Sequence, residues 1–397
     1  MTIRGDTIKK LITLSMIGVV ILGVVMLSGC IDGSNSTNSE TATPAVKLIN
    51  CKGQGSMPQL LSTGELDAVI AWQPKPAELE NNNIGKIVTY SEDLPPKGMW
   101  ENHPCCVMVI SDDALENKNY ASKEFLKLII LATEEINRNK TLAVDASAHW
   151  LGVEKDIEEK SIPYIKYSAD PKLVEDGVLD FVMVMNSQNA LVNKLNTTDK
   201  EKILNTLFDF KTYNEVINNL NSKNSVNAPS EIPTLKIAYL PTDHHATLFV
   251  AATNPELFKN KYGLYLKEIE PKKKYELYEQ GRKIADIELV LVSEGGAKIM
   301  TLMAQNQIDV GFNGVPPAVF SIDKGTKGKI VCALNNEGSA VVVRKDIPVN
   351  NWDEFITWIK EQQKEGKVVK IGHPLPVSIQ YVMIKSALGS ENITYAE

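Results

Sequence analysis

The chain has 397 residues, 43% of them hydrophobic, enough to bury a large core and to build two lobes. Its 42 basic and 49 acidic residues leave a formal charge of -7 with no long Lys/Arg block, so no nucleic-acid partner is expected. Five cysteines, Cys30, Cys51, Cys105, Cys106 and Cys332, form neither a CxxC pair nor the spacing of a disulfide scaffold, and no metal site and no cofactor is expected.

At the N-terminus, Arg4, Lys9 and Lys10 precede an uncharged apolar run over 11–27, which reads as a secretory leader. The run closes on Leu27-Ser28-Gly29-Cys30, similar to a lipobox, so residues 1–29 are expected to be a lipoprotein signal peptide and Cys30 the lipidated first mature residue. An uncleaved membrane anchor is the alternative. Either reading places the body outside the membrane. Residues 30–45 are small and polar, as in a flexible tether.

From residue 46 short β-branched runs alternate with helical stretches, the pattern of βα units. Strands are predicted at 46–50, 67–72 and 105–110. Residues 111–219 read as a helical segment with amphipathic patterns at 122–137, 173–195 and 200–207. A polar, Pro-containing stretch at 220–234 reads as a linker. Strands follow at 235–240, 288–293, 308–312, 329–334, 339–344 and 368–373, with helices between them. A strand running into a helix aims that helix's N-terminus at the edge where open α/β sheets bind ligands.

Four stretches, KIAYLPTDHHATLFVA (236–251), EGGAKIMTLMAQNQIDVGFNGVPPAVF (294–320), KIGHPLPVSIQYVMIKSAL (370–388) and GSMPQLLSTGELDAVIAWQPKPAELE (55–80), resemble the nitrate/sulfonate/taurine-type substrate-binding proteins of ABC transporters. That family in turn resembles the pyrimidine-precursor synthases of thiamine biosynthesis. The resemblance implies an α/β, two-lobed periplasmic-binding-protein (type II) fold with an interlobe cleft. The stretches resembling the first lobe come last here. Reading ENITYAE (391–397) into AVKLINC (45–51) restores the family order, so the chain resembles a circular permutant. On this reading 46–110 is part of the second lobe, 111–219 packs back on the first lobe, 235–346 is the first lobe and 347–397 starts the second. A tandem fragment and lobes exchanged between two molecules are the alternatives.

The resemblance and the strand–helix junctions nominate ligand-binding residues. His244 and His245 follow the first strand of the second block, as ligand contacts or as capping histidines. Gly295 and Gly296 precede a helix and can offer bare backbone N–H groups or form a tight turn, and Asn313 and Gly314 fit the same role. Ser378 resembles a family position where a hydroxyl and helix amides hold the ligand, or is an ordinary cap. Trp72 and Gln73 end a strand of the other lobe, where an aromatic ring can cover a ligand or belong to the core. Cys105 and Cys106 read as small hydrophobes inside a strand. No G-x-S-x-G, HExxH or G-x-G-x-x-G after a strand is present, so an enzyme is not expected. The resemblance thus implies a monomeric, lipid-anchored receptor that hands a small anionic or polar solute to an ABC permease with its ATPase. A thiamine-pathway pyrimidine protein and a membrane-tethered sensor are the alternatives.

Overall fold

The alternation of β-branched runs and amphipathic stretches is realised, in a computed structural model, over the described residues 43–220 and 231–397. The expected leader 1–29, Cys30, nearly all of the tether and most of the 220–234 linker lie outside the described residues. Strands are β1 (Val46–Asn50), β2 (Ala68–Trp72), β3 (Gly85–Tyr90), β4 (Pro104–Ser111), β5 (Ile165–Tyr167), β6 (Thr234–Tyr239) and β7 (Leu264–Glu270). They continue as β8 (Lys274–Glu279), β9 (Arg282–Leu291), β10 (Val310–Gly314), β11 (Gly328–Glu337), β12 (Ser339–Arg344), β13 (Val369–His373) and β14 (Tyr395–Ala396).

Among the described residues these strands form two sheets in a mixed α/β architecture. One has six strands in the order β14-β1-β13-β2-β12-β3, the other eight in the order β5-β11-β4-β10-β6-β9-β8-β7. In the first, β13 runs parallel to β1 and β2, while β12 is antiparallel to β2 and β3. In the second, β10, β6 and β9 run parallel and β4 is antiparallel to both β10 and β11. β4 (PCCVMVIS) is buried along its whole length because it is covered on both faces and flanked on both edges, which is why it reads as a continuous apolar run.

The chain passes from the six-stranded to the eight-stranded sheet between Tyr90 and Pro104 and returns at Gly338. β4 therefore belongs with the strands that follow the linker, and β12 with those that precede it. The two crossings touch. The Glu337 N–H donates to the His103 carbonyl at 3.0 Å, and the Ser339 N–H to Ser91 Oγ at 3.3 Å. At the edge of the six-stranded sheet, β14 lies parallel to β1 with Tyr395 opposite Val46, and the Ala45 N–H donates to Thr394 Oγ1 at 3.1 Å.

Segment 111–219 is helical with one short strand, β5. Its longest helix, Asn119–Arg138, buries Phe125, Leu128, Ile129, Ala132 and Ile136 on one stripe, the 3.6-residue period that marks it in the sequence. The helix expected over 173–195 ends at Ser187. Beyond it the backbone turns around the buried Asp323 carboxylate, which accepts from the N–H groups of Val192 and Asn193 at 3.1 Å and of Leu195 at 2.7 Å. An acceptor of that charge supplies the partners that helical bonding would have given. The strands β7 and β8 were not expected from sequence, and of the antiparallel run they make with β9 only the second half of β9 was, as the strand at 288–293. Its strands carry charged residues on an exposed face at the sheet edge, so their period is weak.

Candidate functional site

The carboxyl ends of β2 and β13 from one sheet meet the carboxyl ends of β6, β9 and β10 from the other, and a cavity of about 40 Å³ lies where they converge. It has room for roughly three water-sized groups. Its wall is formed by Trp72, Cys105, Cys106, Leu240, Thr242, His244, Gly296, Ala297, Gly314, Pro317, Leu375, Pro376, Ser378, Ile379 and Gln380. Among these no lysine or arginine occurs.

The sequence-nominated residues fall on this wall or directly behind it. Helices Gly296–Ala304, Val315–Asp323 and Ile379–Ser390 all begin at the cavity, and Ser378 caps the last by accepting from the Tyr381 N–H at 3.1 Å. Gly295 has φ +101 and a Cβ there would lie 2.2 Å from Leu375 Cδ1, so the two sheets' loops approach through a residue without a side chain. A Cβ on Gly296 would lie 2.0 Å from Asn313 Oδ1. Asn313 is fully buried just outside the wall, and neither of its side-chain polar atoms has a hydrogen-bond partner. Gly314 caps the Val315 helix on the wall itself.

Trp72 lines the cavity, with its N–H donating to Gln54 Oε1 at 2.7 Å, whereas Gln73 does not reach it. Gln73 joins the sheets instead. Its carbonyl accepts from Thr242 Oγ1 at 2.8 Å and its N–H donates to the Gly338 carbonyl at 2.9 Å. His245 also stays behind the wall. Its Nδ1 accepts from the Leu240 N–H at 3.1 Å and its ring packs edge-on against Phe312.

His244 is the nominated histidine that enters the cavity. Its Nε2–H donates to the Gly338 carbonyl at 3.0 Å, and its Nδ1 faces Cys105 Sγ at 3.1 Å, Cys106 Sγ at 4.0 Å and Asn335 Nδ2 at 3.1 Å. The two sulfurs are 3.8 Å apart. From sequence these thiols read as small hydrophobes inside a strand, and adjacent residues of a regular strand point to opposite faces. The β4–β11 ladder is irregular here: Asn335 pairs with Cys106 and Asn336 with Pro104, which leaves Cys105 in a bulge and turns both sulfurs toward the histidine. The scatter of histidines and cysteines along the chain gave no sign of a cluster, yet folding brings Cys105, Cys106 and His244 together, all buried, with ligand atoms within 4.8 Å of one another. These three could hold a metal ion.

The electrostatics follow from burial and contact. The hydrogen bond from Cys105, followed by contacts to His244 and His245, pulls the Cys106 thiol well below its ordinary range despite its burial, while burial pushes Cys105 up. For His244 burial opposes the imidazolium, but the Cys106 sulfur, Asp243 and the Gly338 carbonyl together raise its pKa. Behind it, buried Asp243 accepts from Ser161 Oγ, and its carbonyl accepts from Tyr167 Oη at 2.7 Å. Fully buried Glu158 faces the Asp243 carboxylate, to which its protonated form donates. Burial, then the Asp243 charge, push its carboxyl up to about 10, so it keeps its proton at neutral pH.

An uncharacterized protein of Methanocaldococcus jannaschii is 58% identical over 111 residues, covering 28% of this chain and 77% of that protein. No solved structure matches the chain significantly. A family model described as the NMT1-like family matches residues 38–152 and 228–396, most of the described fold and every part of the cavity wall, and on that match this chain belongs to the NMT1-like family.

Proposed function

We propose that the chain is an extracytoplasmic solute-binding lipoprotein of an ABC importer, holding a small polar or anionic solute between two lobes, each built on one of the two sheets. The observation that carries this reading is the convergence of strand ends and three helix N-termini from both sheets on one cavity, beside the unpartnered amide of Asn313. Without lysine or arginine on the wall, an anion is held by backbone N–H groups, Ser378 and the Asn313 amide, with His244 as the ionisable donor. The crossings at 91–103 and at Gly338 serve as the hinge, and opening there admits a solute larger than the present cavity. The side-by-side placement of 391–397 and 45–51 supports the permuted lobe order.

Calorimetry of the full chain with nitrate, a short alkyl sulfonate, taurine and a neutral aminopyrimidine tests the proposal. One of the first three binds the wild type, Asn313→Ala weakens it roughly tenfold to a hundredfold, the loss of one hydrogen bond to a charged ligand, and Trp72→Ala weakens it by impairing closure. Unaltered affinity in both variants refutes the assignment of the site. The largely apolar wall beside Trp72 favours a second reading, in which the ligand is a neutral pyrimidine of the thiamine-precursor class. Binding of the aminopyrimidine alone would establish it.

A further inference from the structure

We propose that Cys105, Cys106 and His244 form a binding site for one thiophilic metal ion, Zn²⁺ or Cu⁺, on the cavity wall, with the remaining coordination position open to the cavity.

The distances fit such an ion. Zinc–sulfur and zinc–nitrogen bonds of about 2.3 and 2.0 Å in a tetrahedron place the two sulfurs about 3.8 Å apart and each sulfur about 3.5 Å from the nitrogen. The sulfurs are 3.8 Å apart, and 3.1 and 4.0 Å from Nδ1 bracket the second value. The histidine is also prepared for the role. Donation from Nε2 to the Gly338 carbonyl at 3.0 Å assigns the proton to Nε2 and leaves the Nδ1 lone pair facing the thiols. A ligating imidazole is held by that kind of hydrogen bond, which fixes both tautomer and ring orientation. Asn335 Nδ2, 3.1 Å from the same Nδ1, donates to it in the metal-free protein and has to release it when an ion binds.

The donor set selects the ion. Two thiolates and one imidazole suit soft and borderline cations, while Mg²⁺ and Ca²⁺ require oxygen ligands that the three residues lack. All three side chains also line the cavity, so the open position faces the space assigned to the solute. Three protein ligands and one vacant position is the arrangement by which a bound metal captures an additional ligand. The inference uses the cavity of the proposed function without requiring solute capture, because metal uptake is read with no solute added, and solute binding with no metal added.

The test uses the reduced full chain, with a non-thiol reductant and Co²⁺ as the spectroscopic stand-in for Zn²⁺. One Co²⁺ binds per chain with a thiolate-to-cobalt charge-transfer band, and Zn²⁺ displaces it. Cys105→Ser and Cys106→Ser each remove about half of that band and weaken Zn²⁺ binding at least tenfold in competition with a chromogenic chelator. Cys51→Ser, Cys332→Ser and Cys30→Ser leave both unchanged. If a serine variant fails to fold, the wild-type spectrum decides, since it reports the number of thiolates directly. Absence of the charge-transfer band in the folded wild type, or a band that survives in the folded double variant, overturns the site. A chain that gives the cobalt band but binds no solute in metal-free calorimetry would retain the metal site and refute only the solute reading.

Discussion

Replacing Gly338 with alanine probes whether the strand crossing holds His244 against the cavity. Gly338 has φ +87, a left-handed conformation in which a side chain costs about 1–2 kcal/mol. The added Cβ would also lie 2.6 Å from His244 Nε2, 2.8 Å from Cε1 and 3.0 Å from Ile165 Cγ1. The imidazole is buried and cannot swing into solvent, so it must give up the 3.0 Å hydrogen bond to the Gly338 carbonyl. A buried donor left unpaired costs a further 1–3 kcal/mol or so, giving a total of about 2–5 kcal/mol. Gly325→Ala is the internal control, because Gly325 has φ +104 but no heavy atom within 4 Å of a built Cβ, leaving the conformational strain of about 1–2 kcal/mol alone. Urea unfolding of both variants, read at equal m-values, should separate them by about 2 kcal/mol. A separation below about 0.5 kcal/mol, within ordinary surface-substitution scatter, would refute the claim that Gly338 and His244 are packed against each other.

Burial raises the Glu124 carboxyl to about 7, the nearby Lys127 opposing and Glu279 assisting. Stability from a raised carboxyl is fully present below its unfolded pKa and lost as pH rises through the folded one, here between about 4.5 and 7, a total of about 3 kcal/mol. Glu124→Gln should therefore gain 1–3 kcal/mol or so over wild type at pH 8 and little at pH 4, read from thermal unfolding at both. Ser378→Ala removes the cap on the Ile379 helix and should cost about 1 kcal/mol without any ligand, while Ser378→Asp restores the cap and places a negative charge at the cavity. Calorimetry then distinguishes an anion, which the aspartate repels, from a neutral solute, which it tolerates. Cys30→Ser should move the protein from the membrane to the soluble fraction. Retention as a tightly bound membrane species would favour the uncleaved anchor.

The strands lying deepest in the sheets were legible because they are nearly uninterrupted apolar runs. CCVMVI, IDVGF and KIVCAL fall within or across β4, β10 and β11. The β7–β8 edge was not, since half-exposed strands carrying Glu, Lys and Tyr lose the contrast on which a two-residue period depends, and of β9 only the part from Glu288 was read. At the site, strand–helix junctions pointed to His244, Gly296, Gly314 and Ser378, which share the cavity wall with Trp72. Neighbours behaved differently for reasons the sequence hides. His245 turns its ring back to the Leu240 N–H, and Gln73 is taken up in bonds between the sheets. The thiol pair was missed because strand alternation separates Cys105 from Cys106, and a register irregularity against β11, more than 220 residues later, reverses that.

β4 also governs the timing of assembly. It leaves the ribosome early, yet it is flanked by β10 and β11, and β1 finds its neighbours only in β13 and β14, the first of which begins at Val369. Neither sheet can close until nearly the whole chain is available, and pairings of such sequence separation form slowly because the loop-closure entropy precedes the contacts that offset it. A nascent chain built this way completes the eight-stranded sheet only once β11 has been made, and the six-stranded one only once β13 and β14 have.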